Sequence, residues 1–379
     1  MEKRILLSMP HMSGTEQKYI SEAFEGSWIV PLGPHVNEFE LRLQHFLGEN
    51  KSVVALSAGT AAIHLGLIML GVSRDDEVIC QDLTFSASCN PICYQGAIPV
   101  FVDSEPETMN IDPVVLEEAI IDRKKYTGRY PKAIVVVHLY GMPAKMDEIM
   151  AVASKYGIPV LEDAAEALGS EYSGRKAGTF GEYGALSFNG NKIITTSGGG
   201  ALICPDKECA ARVLFLATQA RENRPYYYHT TIGYNYRLSN ISGCIGCGQI
   251  DVLDERLARR RAIHDIYARE LACVPGISVQ MNPSDKFNSN FWLSTIQVNP
   301  ELTGCTPDEI RVALADKNIE TRLLWRPMHM MPVFEKYPYY GNAETGRRLF
   351  ENGLCLPSGS SLTDEDILRV CRELKACCK

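Results

Sequence analysis

The stretch Gly157-Ile-Pro-Val-Leu-Glu-Asp-Ala-Ala-Glu-Ala-Leu-Gly169 carries a short apolar strand into two adjacent carboxylates, Glu162 and Asp163, and then into small residues that open a loop. Open α/β sheets bind ligands at the carboxyl ends of their strands, so acids at that point face a crevice. A helix N-cap accounts for Asp163 equally well. Outward from this stretch the same pattern repeats between about residues 50 and 205. Residues 53–56, 78–80, 99–102, 133–138, 159–161, 184–188 and 201–204 read as strands, and residues 61–70 and 146–156 as amphipathic helices between them. Such alternation implies a mostly parallel sheet covered on both faces. A long helical pattern follows over about 241–271, and then strand, helix, strand, helix over 291–298, 306–317, 319–323 and 364–376. The fold expected is α/β, with a large domain over 1–250 that includes an N-terminal arm and a smaller α+β domain over 251–379.

Composition narrows the function classes. The 379 residues include 38 basic and 46 acidic side chains, a formal charge of -8, which offers no general attraction for nucleic acid or an anionic membrane. Apolar residues make up 45%, with no run long enough to span a bilayer. The opening MEKRILLSMPHMSG has too short an apolar stretch for a secretory signal, so the cytoplasm is the expected compartment. The 13 cysteines fit it as reduced thiols. Cys244 and Cys247 form a C-x-x-C without a second pair at metal spacing, and with Cys89, Cys93, Cys377 and Cys378 they read as structural thiols; no metal is expected. Arg256, Arg259, Arg260 and Arg261 interleave with Asp251, Asp254, Glu255 and Asp265 and read as a solvated helix face.

Two further stretches bear on chemistry. In Gly184-Ala-Leu-Ser-Phe-Asn-Gly-Asn-Lys-Ile-Ile-Thr-Thr-Ser-Gly-Gly-Gly200, a strand ends near Asn189 and Lys192 follows in a tight turn before an apolar pair. Partial burial of a lysine favours its unprotonated amine, the form that makes imines. The glycine run matches neither dinucleotide nor P-loop spacing. In Ala55-Leu-Ser-Ala-Gly-Thr-Ala-Ala-Ile-His-Leu65, small residues and Thr60 stand at the start of a helix, where free N–H groups and the dipole favour a dianion. A lysine, a carboxylate, a phosphate cup and an aromatic, Phe85 in D-L-T-F-S-A, together suit pyridoxal 5'-phosphate. That cofactor needs an amine for its aldehyde, an acid for its ring nitrogen and a flat group on its ring.

The strings S-A-G-T-A-A (57–62), D-L-T-F-S-A (82–87), H-L-Y-G (138–141), E-D-A-A-E-A-L-G (162–169), S-F-N-G-N-K (187–192) and G-Y-N-Y-R-L-S-N (233–240) resemble, in this order, the DegT/DnrJ/EryC1/StrS sugar aminotransferases, a branch of the fold-type I pyridoxal enzymes. The resemblance covers nearly the whole chain. It implies that Lys192 holds the cofactor as an imine and that Asp163 pairs with the ring nitrogen. It further implies that Glu166 lies near the ring's 3-hydroxyl, that Gly59, Thr60 and Ser187 hold the phosphate, and that Phe85 stacks on the ring. It implies too that Asn235 reaches the phosphate from the neighbouring subunit of a homodimer with shared active sites. His138 flanks the cofactor or belongs to the core, and Trp325 and His329 stand where the small domain meets the sugar nucleotide. Ala58 departs from the family's N-S-A-T loop by lacking a hydroxyl.

Within the family, some members carry histidine at the lysine position and dehydrate their substrate; Lys192 implies transamination. The strings T-Q-A-R-E-N (218–223), E-T-R-L-L-W (320–325) and C-L-P-S-G (355–359) resemble the bacillosamine-pathway transaminases. That likeness implies a UDP-linked 4-keto-6-deoxy-N-acetyl-hexosamine as acceptor, L-glutamate as donor, and pyridoxamine phosphate and 2-oxoglutarate after the first half-reaction. Amination at C3, or at C4 of a dTDP sugar, stays open, as does a non-catalytic regulator; a Rossmann dehydrogenase lacks its glycine fingerprint.

Overall fold

The computed structural model describes residues 3–48, 50–341 and 344–378. The apolar runs of the first half form β1 (Ser52–Leu56), β2 (Glu77–Gln81), β3 (Ile98–Val102), β4 (Ala133–Val137), β5 (Val160–Asp163), β6 (Tyr183–Ser187) and β7 (Gly200–Cys204). Their spatial order is β1-β7-β6-β5-β4-β2-β3, and a short strand from far downstream, Tyr339–Tyr340, is added outside β3. Pairing is parallel from β6 across to Tyr339–Tyr340 and antiparallel where β7 meets β1 and β6. β1, β2, β4 and β7 are buried at every residue, which is why they read as unbroken apolar runs: helices such as α1 (Gly59–Met69) and α2 (Met146–Tyr156) cover both faces.

β5 runs further than the apolar residues predict and takes in Glu162 and Asp163. Both acids remain in the ladder because their environment is made of donors. Glu162 accepts from the N–H groups of Gly178 (2.8 Å) and Gly181 (2.6 Å) and pairs with His138 (2.9 Å). The carbonyl of Asp163 accepts from the His138 N–H. Buried acids persist in a strand when each oxygen finds a partner.

The helical pattern over 241–271 is two helices, α3 (Asn240–Ile250) and α4 (Leu253–Leu271). α3 lies so close to helix Pro34–Leu47 that a Cβ on Gly243 would sit 2.6 Å from the Val36 Cα, whereas α4 packs on the C-terminal helix Asp364–Cys377. A break at Asp251-Val252 lets each half follow its own partner. α4 also overturns the solvated-arginine reading: Arg256 and Arg260 are buried, and Arg260 is 1% exposed.

Downstream, β8 (Ile277–Val279), β9 (Ser294–Val298), β10 (Arg322–Leu323) and β11 (Gly353–Leu356) form an antiparallel sheet in the order β8-β9-β11-β10. Helices Pro307–Asp316 and Asp364–Cys377 cover it, each opened by a threonine capping box. β9 starts later than expected because residues 290–292 form a tight loop: the Asn290 side-chain Oδ1 accepts from the Trp292 N–H at 2.8 Å and Phe291 adopts φ 47°. The division expected at 250/251 is crossed twice. Tyr339–Tyr340 returns to the large sheet, and Ile5 pairs with Ile319 and is fully buried in the C-terminal core.

Candidate active site

A cavity of about 540 Å³ opens between the carboxyl ends of the large sheet's strands and the second sheet. It gathers Gly59, Thr60, Phe85, Asp163, Glu166, Ser187, Lys192 and Trp325, residues singled out above from separate stretches of sequence.

One end of the cavity is the N-terminus of α1. Its N-cap, Ala58, has extended backbone and no side-chain cap, so the first N–H groups of the helix remain available to a ligand. The cup is closed by backbone: a Cβ on Gly200 would lie 2.5 Å from the Gly59 nitrogen, and one on Gly59 would lie 3.1 Å from the Ser187 Cβ. The need for glycine at 200, at the start of β7, is a reason for the glycine run that its spacing did not reveal.

The acids sit at different depths. Asp163 Oδ2 accepts from the Ser88 hydroxyl at 2.6 Å, and Ser88 in turn meets Thr84 at 2.8 Å. Asp163 Oδ1 accepts from the Ala165 N–H at 3.1 Å, so the local turn role and the cavity role belong to one residue. Glu166 accepts from the Tyr140 N–H at 2.7 Å and faces Lys192 Nζ at 3.2 Å. Burial pushes its carboxyl up to about 7, although the Lys192 charge and the Tyr140 N–H pull the other way. The Lys192 ammonium also lies 4.0 Å from the centroid of the Trp292 ring.

Glu166 has a consequence for stability. Below the unfolded carboxyl value of ~4.3 both states hold the proton; up to about 7 the native cofactor-free protein keeps a proton that the unfolded chain has lost. The contribution of Glu166 to native stability therefore falls as pH rises through that window, by roughly 3–4 kcal/mol, while the depressed imidazole of buried His264 works in the opposite direction. Glu166→Gln should remove this contribution, read as a urea midpoint that falls less, or rises more, than the parent's between the low and the high end of the window.

Aromatic side chains form the opposite wall. Phe85 is 55% exposed and leans on Trp325 with ring centroids 5.3 Å apart; Trp325 also meets Tyr140 at 5.0 Å. Tyr140 holds the wall together from a left-handed backbone (φ 53°), with its hydroxyl accepting from the Trp325 N–H at 2.9 Å. Sequence reading missed Tyr140, Trp292 and Ser88 as site residues; H-L-Y-G was in view, but the other two need tertiary contacts to be found.

Three of the named residues lie outside this cavity, among them Asn235, which the resemblance assigns to a neighbouring subunit's site. His138 is fully buried beneath the sheet's end and is not a wall of the cavity. Its Nδ1 accepts from the Ala144 N–H (3.1 Å), which leaves the proton on Nε2 for Glu162. His329 is likewise withdrawn from the cavity: Nδ1 meets Asp82 at 2.6 Å, its backbone N–H meets the same carboxylate at 2.8 Å, and its ring stacks on Tyr339 at 4.0 Å. It pins the segment after Trp325 to the end of β2. Asn235 lines a separate open cavity of about 810 Å³ with Trp28, Leu32 and Arg237.

Behind Lys192 stands Arg260. Its guanidinium donates to the carbonyls of Trp292 and Lys192 (3.4 Å to the latter) and to the Ser8 hydroxyl (2.9 Å), with no carboxylate among these partners. Burial lowers its proton affinity. It thereby ties the N-terminal segment, α4 and the lysine turn into one unit. Arg260→Met fills similar space but leaves these acceptors unsatisfied, so unfolding free energy should drop by about 2–4 kcal/mol, visible as a lower urea midpoint.

Comparison with known proteins places the chain in a family. The profile described as the DegT/DnrJ/EryC1/StrS aminotransferase family matches residues 10–375. The chain is 48% identical to the putative pyridoxal phosphate-dependent aminotransferase EpsN of Bacillus subtilis (strain 168), over 98% of this chain and 95% of that one. It is 38% identical to GDP-perosamine synthase of Escherichia coli O157:H7 over 98% of each. The pyridoxal-phosphate form of the putative sugar aminotransferase Spr1654 from Streptococcus pneumoniae has the same fold, with TM-score 0.89 at 25% identity over 99% of this chain and 98% of that one.

The chain belongs to the DegT/DnrJ/EryC1/StrS aminotransferase family. It is a pyridoxal-phosphate-dependent sugar aminotransferase.

Proposed function

We propose that the enzyme aminates C4 of a UDP-linked 4-keto-6-deoxy-N-acetyl-hexosamine, with L-glutamate as donor and 2-oxoglutarate as co-product. The observation that carries this reading is where the substrate-level resemblance falls. Of E-T-R-L-L-W and C-L-P-S-G, the residues Arg322, Leu323, Trp325 and Cys355 all line the Lys192 cavity. Relatives differ in carrier, as the name GDP-perosamine synthase says of one of them. The test is therefore kcat/KM with glutamate and 4-keto sugars linked to UDP, dTDP or GDP. A preference for the UDP sugar by at least about tenfold, or ~1.4 kcal/mol, supports the reading; a dTDP or GDP sugar in that place overturns it. The proton coupling between H3 and H4 of the product then reads whether the new amine is equatorial or axial.

The cradle fits the cofactor: free N–H groups at α1 for a dianionic phosphate, an acid at the end of β5, and an amine within the same cavity. When bound, pyridoxal phosphate supplies an electron sink next to the amine-bearing carbon. Gly59, Thr60 and Ser187 are proposed to hold its phosphate, Phe85 to lie on its ring, and Asp163 to keep its ring nitrogen protonated. Ser88 and the Ala165 N–H fix the orientation of that acid. Lys192 Nζ takes the proton from Cα of the donor and, in the second half, delivers one to C4 of the sugar. Glu166 lies 3.2 Å from that amine and positions it.

Asn235 and its cavity suit a shared dimer site. Phe24, Trp28, Ile29 and Leu32 are exposed apolar side chains, and Trp28 and Leu32 line the same cavity as Asn235; apolar surface of this kind marks association sites. Co-expressing Lys192→Ala and Asn235→Ala subunits should restore activity that neither variant has by itself, because one site of each mixed dimer is intact. Among the described residues no helix is long and apolar enough to cross a membrane, and the cytoplasm is the compartment proposed.

A further inference from the structure

Every substrate of a sugar aminotransferase that uses an amino-acid donor and a nucleotide sugar is an anion, yet the chain carries a formal charge of -8. Among the described residues lining the Lys192 cavity, the cationic side chains are Lys192 and Arg322. Lys192 is committed to the reacting carbon. Arg322 remains.

Arg322 lies on β10 and pairs in register with Cys355 of β11, which also lines the cavity. Arg322, Leu323 and Cys355 all line the cavity, and Leu323 also packs on the C-terminal core. The Arg322 side chain is 68% exposed, and its guanidinium meets the Glu320 carboxylate at 2.9 Å. The second oxygen of Glu320 accepts from the N–H of Leu7 at 3.1 Å, and Leu7 is itself a wall of the cavity. A carboxylate of the chain thus already sits on Arg322 at the edge of the substrate space. An exposed pair between residues two apart contributes little to stability and exchanges readily. A guanidinium offers a fork that accepts a carboxylate or a phosphate alike.

We propose that Arg322 is the oxyanion receptor of this cavity, exchanging Glu320 for a negatively charged group of a bound substrate. That group is a carboxylate of the amino donor or the diphosphate of the sugar nucleotide. The first source rests on the aminotransferase activity alone; the second rests also on the nucleotide-linked acceptor proposed above.

The experiment compares Arg322→Gln and Arg322→Lys with the parent in two separate half-reactions. Each is followed by bleaching of the cofactor's visible band, one with L-glutamate alone and one with the UDP-linked 4-amino sugar alone. In parallel, the cofactor-free proteins are titrated by calorimetry with 2-oxoglutarate and with UDP. Arg322→Gln should raise the half-saturating concentration in at least one arm by about tenfold, the loss of one charge-assisted contact. Arg322→Lys should recover part of that loss, and the absorbance maximum should not move. The arm that shifts names the source of the anion. If neither arm moves by more than about twofold, against the ~1.4 kcal/mol that a tenfold change represents, the proposal is overturned. A joint loss of both arms and of the cofactor spectrum overturns it too, by making Arg322 structural. Should no UDP sugar react with the parent, the glutamate and 2-oxoglutarate arms still read Arg322, so failure of the acceptor assignment stays distinct.

Discussion

Lys192→Ala should lower turnover by at least ~10³-fold and abolish the visible absorbance near ~420 nm that a lysine-bound pyridoxal shows. The loss is this large because two proposed functions leave with one amine: attachment of the cofactor and proton transfer at the reacting carbon. Among the described residues lining the cavity, no second lysine stands ready to replace it. The turn itself should survive, since its ties are made by backbone: the Lys192 N–H donates to the Asn189 carbonyl at 3.0 Å, and the Lys192 carbonyl accepts from Arg260. The folded variant should therefore keep its circular dichroism while losing colour and rate; loss of the amine's contact with Glu166 shifts the urea midpoint without unfolding the turn. A small primary amine added to the solution should return part of the rate, because the missing part is an amine and not the shape of the site. Full activity in the alanine variant would remove Lys192 from the reaction.

Asp163→Asn is the second large effect. The carboxylate is 5% exposed and anchored by Ser88 and Ala165, so the amide can occupy the same space with little rearrangement. What changes is charge. In the role proposed for Asp163 an amide cannot hold a proton on the ring nitrogen, and removing one partner of a buried charged pair costs about 3–5 kcal/mol. Expressed as a barrier, that is a fall in kcat/KM of roughly 10²–10⁴-fold. Ser88→Ala should cost far less, since Ser88 orients the acid through one hydrogen bond and leaves its charge in place. Steady-state kinetics on the two variants check the order; a serine variant as damaged as the asparagine one would show that orientation, not charge, is the contribution of Asp163.

The readable part of the site shares one property: its residues stand at strand ends. Asp163 closes β5, Ser187 closes β6, Gly59 and Thr60 follow β1, and Phe85 follows β2. An unbroken apolar run announces such an end, so local sequence is enough to bring these residues to one rim. Arg260 was misread because its neighbours in sequence are charged. Its stripe tells otherwise: Leu253, Arg256, Leu257, Arg260, Ile263 and Tyr267 are all buried on one side of α4. Three- and four-residue spacing between those positions was available, and the density of acids concealed it. His138 and His329 followed from resemblance, and each is held by an acid, Glu162 or Asp82, far away in the chain. Nothing local separates a histidine that meets a ligand from one that meets such an acid. Arg322 and Trp292 reach the cavity through pairings of the second sheet and its preceding loop, which no single segment encodes.

The strand Tyr339–Tyr340 on the outer edge of β3 sets the order in which the chain can finish folding. During synthesis, β3 emerges early, and the strand that caps its open edge follows only after more than half of the chain has been made. Until then the Phe101–Val102 end of that edge stays bare, and bare edges recruit other strands. A C-terminal truncation ahead of Tyr339 would make that interval permanent. Such fragments, although they retain Lys192, Asp163 and the phosphate cup, belong in inclusion bodies rather than in assays.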